Sequence, residues 1–232
     1  EEHSLAKHRI LREYVLDYIR ILTSDPRRES LHLDIVDGFA GGGTYVLPDG
    51  SHHYGSPVVL LRALDEGVRN VNQARRKPLT LSSMAYFIEK DKPTHDLLNS
   101  TFAELGLTAD KRILNINGEF SENLSRVISS IKARRGKTFR AIFVLDQYGY
   151  SDVTINDLRR IFTELPYAEV FMTLAVDCVL AYQPDAHSSI AELGRVLFSD
   201  PEEREVLNAL LQGELTEQQL KVDTELGRKT RF

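Results

Sequence analysis

The sequence predicts an α/β fold built on a parallel sheet covered by helices on both faces. Three observations predict it. Short, near-continuous apolar runs alternate with stretches of helical periodicity, the pattern of strands buried on both sides. Four of the proposed strands end in an acidic residue or closely precede one. A glycine run, Gly41-Gly42-Gly43, comes shortly after the first of these strands, which suits a backbone that must turn sharply and let a ligand come close.

The elements follow in order. Leu5, Ile10, Leu11, Tyr14, Val15, Tyr18, Ile19 and Leu22 recur at helical spacing, predicting a helix over 4–23 that Ser24-Asp25-Pro26 ends. Leu31–Val36 reads as the first strand and runs into Asp37-Gly38-Phe39-Ala40. A loop carrying Pro48-Asp49-Gly50 and His52-His53-Tyr54 is expected next. It precedes a helix over Val58–Val68, with Ser56 as its N-cap and Pro57 at its first position. Further strands are expected at Met84–Ile88, Arg112–Ile116, Phe139–Leu145 and Glu169–Ala175. Helices are expected at Pro93–Leu105, Phe120–Ala133 and Ile155–Leu165. From Ser188 three short helical stretches follow, so residues 1–187 read as the α/β domain and 188–232 as a helical appendage or an insertion.

Composition narrows the function classes. The 232 residues carry 29 Lys and Arg against 34 Asp and Glu, a net charge of -5. That argues against a protein that coats nucleic acid or anionic membrane by bulk charge, since such binding rests on neutralising phosphates. With 42% hydrophobic and 27% charged residues the chain is ordinary for a globular protein. Its apolar runs are far shorter than the ~20 residues that cross a bilayer, so no membrane association is expected. The single cysteine, Cys178, excludes an internal disulfide and a cysteine-rich metal site. It reads as a core residue in a cytoplasmic protein. No signal peptide opens the sequence and no initiator Met is present, as in a trimmed or partial chain.

In an open parallel sheet, ligands bind at the carboxyl ends of the strands. Asp37, Glu89, Asn117-Gly118-Glu119 and Asp146-Gln147-Tyr148-Gly149 stand at those ends. The glycine loop matches neither G-x-x-x-x-G-K-S/T nor G-x-G-x-x-G, and Asp37 before it would repel a pyrophosphate while suiting a cationic ligand. Glu89 suits both hydroxyls of a ribose. His52-His53 lacks a carboxylate partner at fixed spacing, so no metal is expected. Arg75-Arg76-Lys77 and Arg134-Arg135-Gly136-Lys137 read as solvated loops, or as local contacts for a phosphate backbone.

The motifs Asp37-Gly38-Phe39-Ala40-Gly41-Gly42-Gly43, Gly55-Ser56-Pro57, Phe87-Ile88-Glu89-Lys90-Asp91 and Asp146-Gln147-Tyr148-Gly149 resemble those of the three-Cys-motif partner proteins (TcmP), a family with a Rossmann-like class I methyltransferase fold. Lys7-His8-Arg9-Ile10-Leu11 and Tyr14 resemble that family's first helix, and the resemblance spans residues 3–182. It implies S-adenosyl-L-methionine as cofactor, with Asp37, Phe39, Gly41 and Gly43 lining its methionine and ribose part. Glu89 would hold the ribose, and Gly118 and Glu119 would lie beside the adenine. It implies a catalytic group of Asp146, Gln147 and Tyr148 facing the methyl acceptor, a nucleic-acid base or nucleotide. It also implies a three-cysteine radical-type protein as partner. One departure stands out: Gln147 replaces the proline of the family's D-P-Y-G. Two readings stay open, a methyltransferase and a catalytically inactive platform that docks a companion protein or nucleic acid. A nuclease finds no paired-carboxylate-plus-lysine motif.

Overall fold

The structure, a computed structural model, describes residues 2–47, 49–134, 140–147 and 152–173. All of them lie in one unit, Glu1–Leu174. Tyr148, Gly149, Asp177, Cys178 and the stretch 188–232 lie outside the described residues.

Helix α1 (Glu2–Leu22) leads into β1 (Ser30–His32) and β2 (Asp34–Asp37). A hairpin follows, β3 (Thr44–Val46) paired antiparallel with β4 (His52–Tyr54), then α2 (Ser56–Gln73). Strands β5 (Thr80–Ser82) and β6 (Ala85–Glu89) precede α3 (Lys92–Glu104), and β7 (Ile113–Asn117) precedes α4 (Phe120–Ala133). The described part closes with β8 (Arg140–Leu145), α5 (Ile155–Glu164) and β9 (Tyr167–Met172).

Five strands form one parallel sheet in the order β7-β6-β2-β8-β9, flanked by a two-stranded parallel pair of β1 and β5. This is an α/β architecture compatible with a Rossmann-like fold. The order reverses between β2 and β8, so the crevice at their carboxyl ends is the topological switch point, where such sheets receive ligands.

Period-two alternation sorts the side chains to two faces. Ile35, Ala85, Phe87, Ile142 and Val144 join Leu11, Val15 and Ile19 of α1 and Leu60 and Leu64 of α2 in one apolar cluster. The intervening Tyr86 bonds Ser130 of α4 through its hydroxyl at 2.8 Å, which marks the other face. α1 packs closely on α2 because Gly67 has no Cβ; one would stand 2.7 Å from Ile19 Cδ1. At its other side Tyr14 meets Phe171 of β9 edge-on at 4.5 Å. This packing lays the first turns of α1 toward the carboxyl edge of the sheet. Among the described residues, no helix is long and apolar enough to cross a membrane.

Several expectations are corrected here. The strand read over Leu31–Val36 is two strands, β1 and β2, separated by Leu33, and β5 went unread before β6. The loop over His52-His53-Tyr54 is half of the hairpin; its turn holds Asp49 and Gly50 at φ +82°, the geometry a tight reversal needs. Gly55, not Ser56, is the N-cap of α2, and no side chain caps it. The helix runs on to Gln73, five residues beyond Val68.

Candidate functional site at the carboxyl edge of the sheet

β2 ends in Asp37, which is fully buried. The chain then turns through Gly38 to Gly43. Gly38 is needed because a Cβ would stand 2.8 Å from the Phe120 ring and 2.9 Å from Leu145. The loop is pinned at several points. Gly38 N–H donates to Val144 O at 2.9 Å and Ala40 N–H to Ile88 O at 3.0 Å, extending the ladders of β8 and β6. Gly41 N–H donates to Glu89 Oε2 at 2.9 Å, and the Thr101 hydroxyl donates to Gly42 O at 2.9 Å. Gly55 N–H donates to Gly43 O at 2.8 Å, so the two glycine motifs of the sequence meet in space.

Gly41 and Gly43 both adopt φ near the left-handed region, +61° and +72°. Their surroundings differ. A Cβ on Gly43 would sit 2.6 Å from Leu98 Cδ1, whereas a Cβ on Gly41 would meet nothing within 4 Å. The loop is therefore packed at Gly43 and open at Gly41.

Glu89 is half-buried at the end of β6. Its Oε2 takes the Gly41 amide and its Oε1 takes the Asp91 amide at 2.8 Å. Each oxygen keeps acceptor capacity, since an ionised carboxylate offers about four lone-pair sites. Asp91 in turn caps α3, accepting from Thr94 N–H at 3.0 Å. Gly118 N–H and Asn117 Nδ2 both donate to Glu89 O, at 3.0 and 2.8 Å. This brings Gly118 and the exposed Glu119 to the same edge. Phe39 is half-buried, its ring 6.0 Å from that of Phe120.

Asp37 is the electrostatic centre. Its Oδ1 accepts from Phe39 N–H at 3.3 Å, while Oδ2 has no partner at hydrogen-bond geometry. Burial pushes its carboxyl up to about 7; the Ser56 hydroxyl and the Phe39 amide pull it down, and the charges of Asp146 and Glu89 push it further up. Ser56 thus bears on Asp37 rather than capping α2. Folding makes this group bind its proton more tightly, so Asp37 subtracts stability as pH rises from the ordinary aspartate range, and the penalty is complete above about 7. Asp37→Asn is expected to raise the melting temperature relative to the natural protein more at about pH 8 than at about pH 5. Melting curves whose offset is the same at both pH values would refute that.

Asp146 follows β8 across the switch point. Its Oδ2 accepts from Lys7 Nζ of α1 at 2.5 Å, a pair about two-fifths exposed on each side. His8 lies beside it, with Nδ1 3.4 Å from the Tyr45 hydroxyl. Burial and the Lys7 charge hold the His8 pKa below the usual imidazole value, against an opposing pull from Asp146. Tyr45 stacks on His53 at 5.9 Å. Gln147 is buried; its Oε1 accepts from Val153 N–H at 3.1 Å and its Nε2 has no partner. It holds the backbone at Val153, two residues before α5. Tyr148 lies outside the described residues.

The structure thus gathers Asp37, Phe39, Gly41, Gly43, Glu89, Gly118, Glu119, Asp146 and Gln147 at one edge. Lys7, His8, Tyr45 and Ser56 were not read as site residues. Lys7, His8 and Ser56 stand in motifs visible in the sequence and Tyr45 in none, and nothing there shows that residue 7 reaches residue 146.

Arg75, Lys77 and Arg134 of the two basic runs are engaged away from this edge; Arg135, Gly136 and Lys137 lie outside the described residues. Arg75 bonds the carbonyls of Thr23, Asp25 and Arg28, Lys77 pairs with Glu29 at 2.7 Å, and Arg134 pairs with Asp34. A hollow of about 440 Å³ lies at the opposite, amino-terminal edge, lined by Asp25, Arg27, Arg28, Glu29, His32 and Arg140 among others. Its Asp25 is paired with Arg27 and its Glu29 with Lys77. Among the described residues, no three His, Cys, Asp or Glu side chains gather as metal ligands.

No protein-family model matches the chain, and no curated protein is detectably similar to it in sequence.

Proposed function

We propose that the protein is an S-adenosylmethionine-dependent methyltransferase of the class I type, related to the three-Cys-motif partner proteins. The observation that carries the reading is the glycine loop: open at Gly41, held by Glu89, and following directly on a buried Asp37 whose Oδ2 has no partner at hydrogen-bond geometry. A buried carboxyl with one oxygen outside hydrogen-bond geometry, and a glycine with open space at its Cβ position in the loop that follows, suit a cationic nucleoside ligand, so these residues fit the cofactor.

Asp37 would face the ligand's cationic end, Gly41 would let the ligand come close to the backbone while Gly43 fixes the turn against Leu98, and Glu89 would accept ribose hydroxyls on its remaining lone pairs. Gly118 and Glu119 would border the base. When bound, the cofactor supplies an activated methyl group, so the protein's task is placement of the acceptor. Asp146 would take a hydrogen bond from an amino group of a nucleotide or nucleic-acid base. Lys7 holds Oδ2, which leaves Oδ1 without a partner among the described residues. Tyr148 would stack on the acceptor.

Calorimetry with S-adenosylmethionine and S-adenosylhomocysteine tests this. Micromolar binding of either is expected, and a folded protein that binds neither refutes it. Asp146→Ala is expected to abolish methyl transfer with cofactor affinity unchanged within about twofold, because an exposed pair contributes little to the rest of the fold. Full transfer in that variant would remove Asp146 from the reaction.

A second reading is the inactive docking platform. What favours it is that Asp146 is already engaged by Lys7 and Gln147 is buried on Val153, where the family pattern has a proline. Binding of neither nucleoside would favour this reading, with a three-cysteine partner protein as the companion to seek.

A further inference from the structure

We propose that Asp37 couples ligand binding to proton release: its carboxyl keeps a proton in the unliganded protein and gives it to solvent when a ligand ammonium takes the place beside Oδ2. The proposal rests on the S-adenosylmethionine reading and adds a regulation to it, a pH-gated affinity.

The geometry sets up the exchange. Asp37 is fully buried, so its anion gains nothing from water, and Oδ2 has no hydrogen-bond partner. A charge left so is costly, and such a group neutralises itself by taking a proton. The charged groups that bear on it are carboxylates, Glu89 from β6 and Asp146 from β8, while α2 contributes only the uncharged Ser56. Lys7 of α1 is engaged with Asp146 Oδ2, and His8 beside it is held toward its neutral form. Glu89 has an amide on each oxygen. Among the described residues Asp146 also has an oxygen without a partner, but it is about two-fifths exposed and paired with Lys7. Asp37 is thus the fully buried member of the trio and has only the uncharged Ser56 hydroxyl and the Phe39 amide beside it. The direction of its titration agrees with that geometry.

A cation beside Oδ2 supplies the missing donor and favours the ionised carboxyl. The bond that breaks is the Asp37 O–H; the proton goes to buffer and the ligand's N–H takes its place.

Calorimetric titration of the natural protein with S-adenosylhomocysteine, in two buffers of different ionisation enthalpy, counts the protons released. Close to one per ligand is expected at about pH 6, falling toward none at about pH 8. Affinity should rise by up to about tenfold per pH unit below neutrality and level off above it. Methylthioadenosine, which has the nucleoside but no ammonium, should bind without release. Asp37→Asn should bind S-adenosylhomocysteine without release; if it does not bind, the two ligands on the natural protein decide. S-adenosylhomocysteine bound with no proton released, or equal release with methylthioadenosine, overturns the proposal and leaves the cofactor reading standing. Release unchanged in Asp37→Asn overturns it too. If neither nucleoside binds, both fall together.

Discussion

Glu89→Ala is expected to weaken S-adenosylmethionine binding by a factor on the order of 10 to 100. The carboxylate would accept ribose hydroxyls, and a hydrogen bond to a charged group contributes about 1.5–3 kcal/mol when its loss leaves the partner unsatisfied. The same change removes the acceptors of the Gly41 and Asp91 amides, so the glycine loop loses its tie to β6. Those amides are near solvent and find water, so the cost to the fold is smaller, about 1–2 kcal/mol. Glu89→Gln separates the two effects. It keeps one good acceptor, which can hold either amide but not both, and it removes the charge. A graded series, with the natural protein tightest, Gln intermediate and Ala weakest, is expected by calorimetry alongside a smaller graded loss in melting temperature. A folded Glu89→Ala variant with unchanged affinity would remove Glu89 from the cofactor site, whatever becomes of the rest.

How far the sequence carried depends on the range of each interaction. The strands β6, β7 and β8 are apolar runs whose ends are marked by Glu89, Asn117 and Asp146, and local pattern was enough to find them. α4 begins and ends where its periodicity does, at Phe120 and Ala133. Three-residue strands such as β1 and β5 carry too few positions for a period, so their existence depends on each other through the Ser30–Thr80 to His32–Ser82 register. The hairpin was hidden for the same reason, and because His52 and His53 look polar. At the site, the placement of Asp37, Gly41 and Glu89 follows from topology alone: carboxyl ends of neighbouring parallel strands lie side by side. Lys7 is different. It reaches Asp146 only because α1 packs on α2 and against Phe171 of β9, a tertiary outcome with no local signature. Ser56 was misread because a serine before Pro57 is a good cap, yet the helix already includes it and Gly55 takes the cap position.

The two left-handed glycines should separate ligand binding from folding. Gly43→Ala is expected to destabilise the fold by about 2–4 kcal/mol: about 1–2 for a side chain in the left-handed region and the rest for driving a methyl group into the buried Leu98. The Leu98 side chain is fully buried and 2.6 Å from that Cβ position, so α3 has little room to yield. Gly41→Ala meets the same conformational cost, about 1–2 kcal/mol, but no steric one, because nothing lies within 4 Å of its Cβ. That methyl group would instead occupy the open side of the loop, where the ligand is proposed to approach the backbone. Gly41→Ala is therefore expected to stay folded, with a modest fall in melting temperature, and to lose S-adenosylmethionine binding by about tenfold or more, since overpacking a close contact costs roughly 1–3 kcal/mol. Gly43→Ala should show the larger fall in melting temperature. Thermal denaturation read beside calorimetry checks both. Natural affinity in a folded Gly41→Ala protein would mean that no ligand comes against this loop. The space at Gly41 would then be a surface feature, and the case for a nucleoside at this edge would have to stand on Asp37 and Glu89 without it.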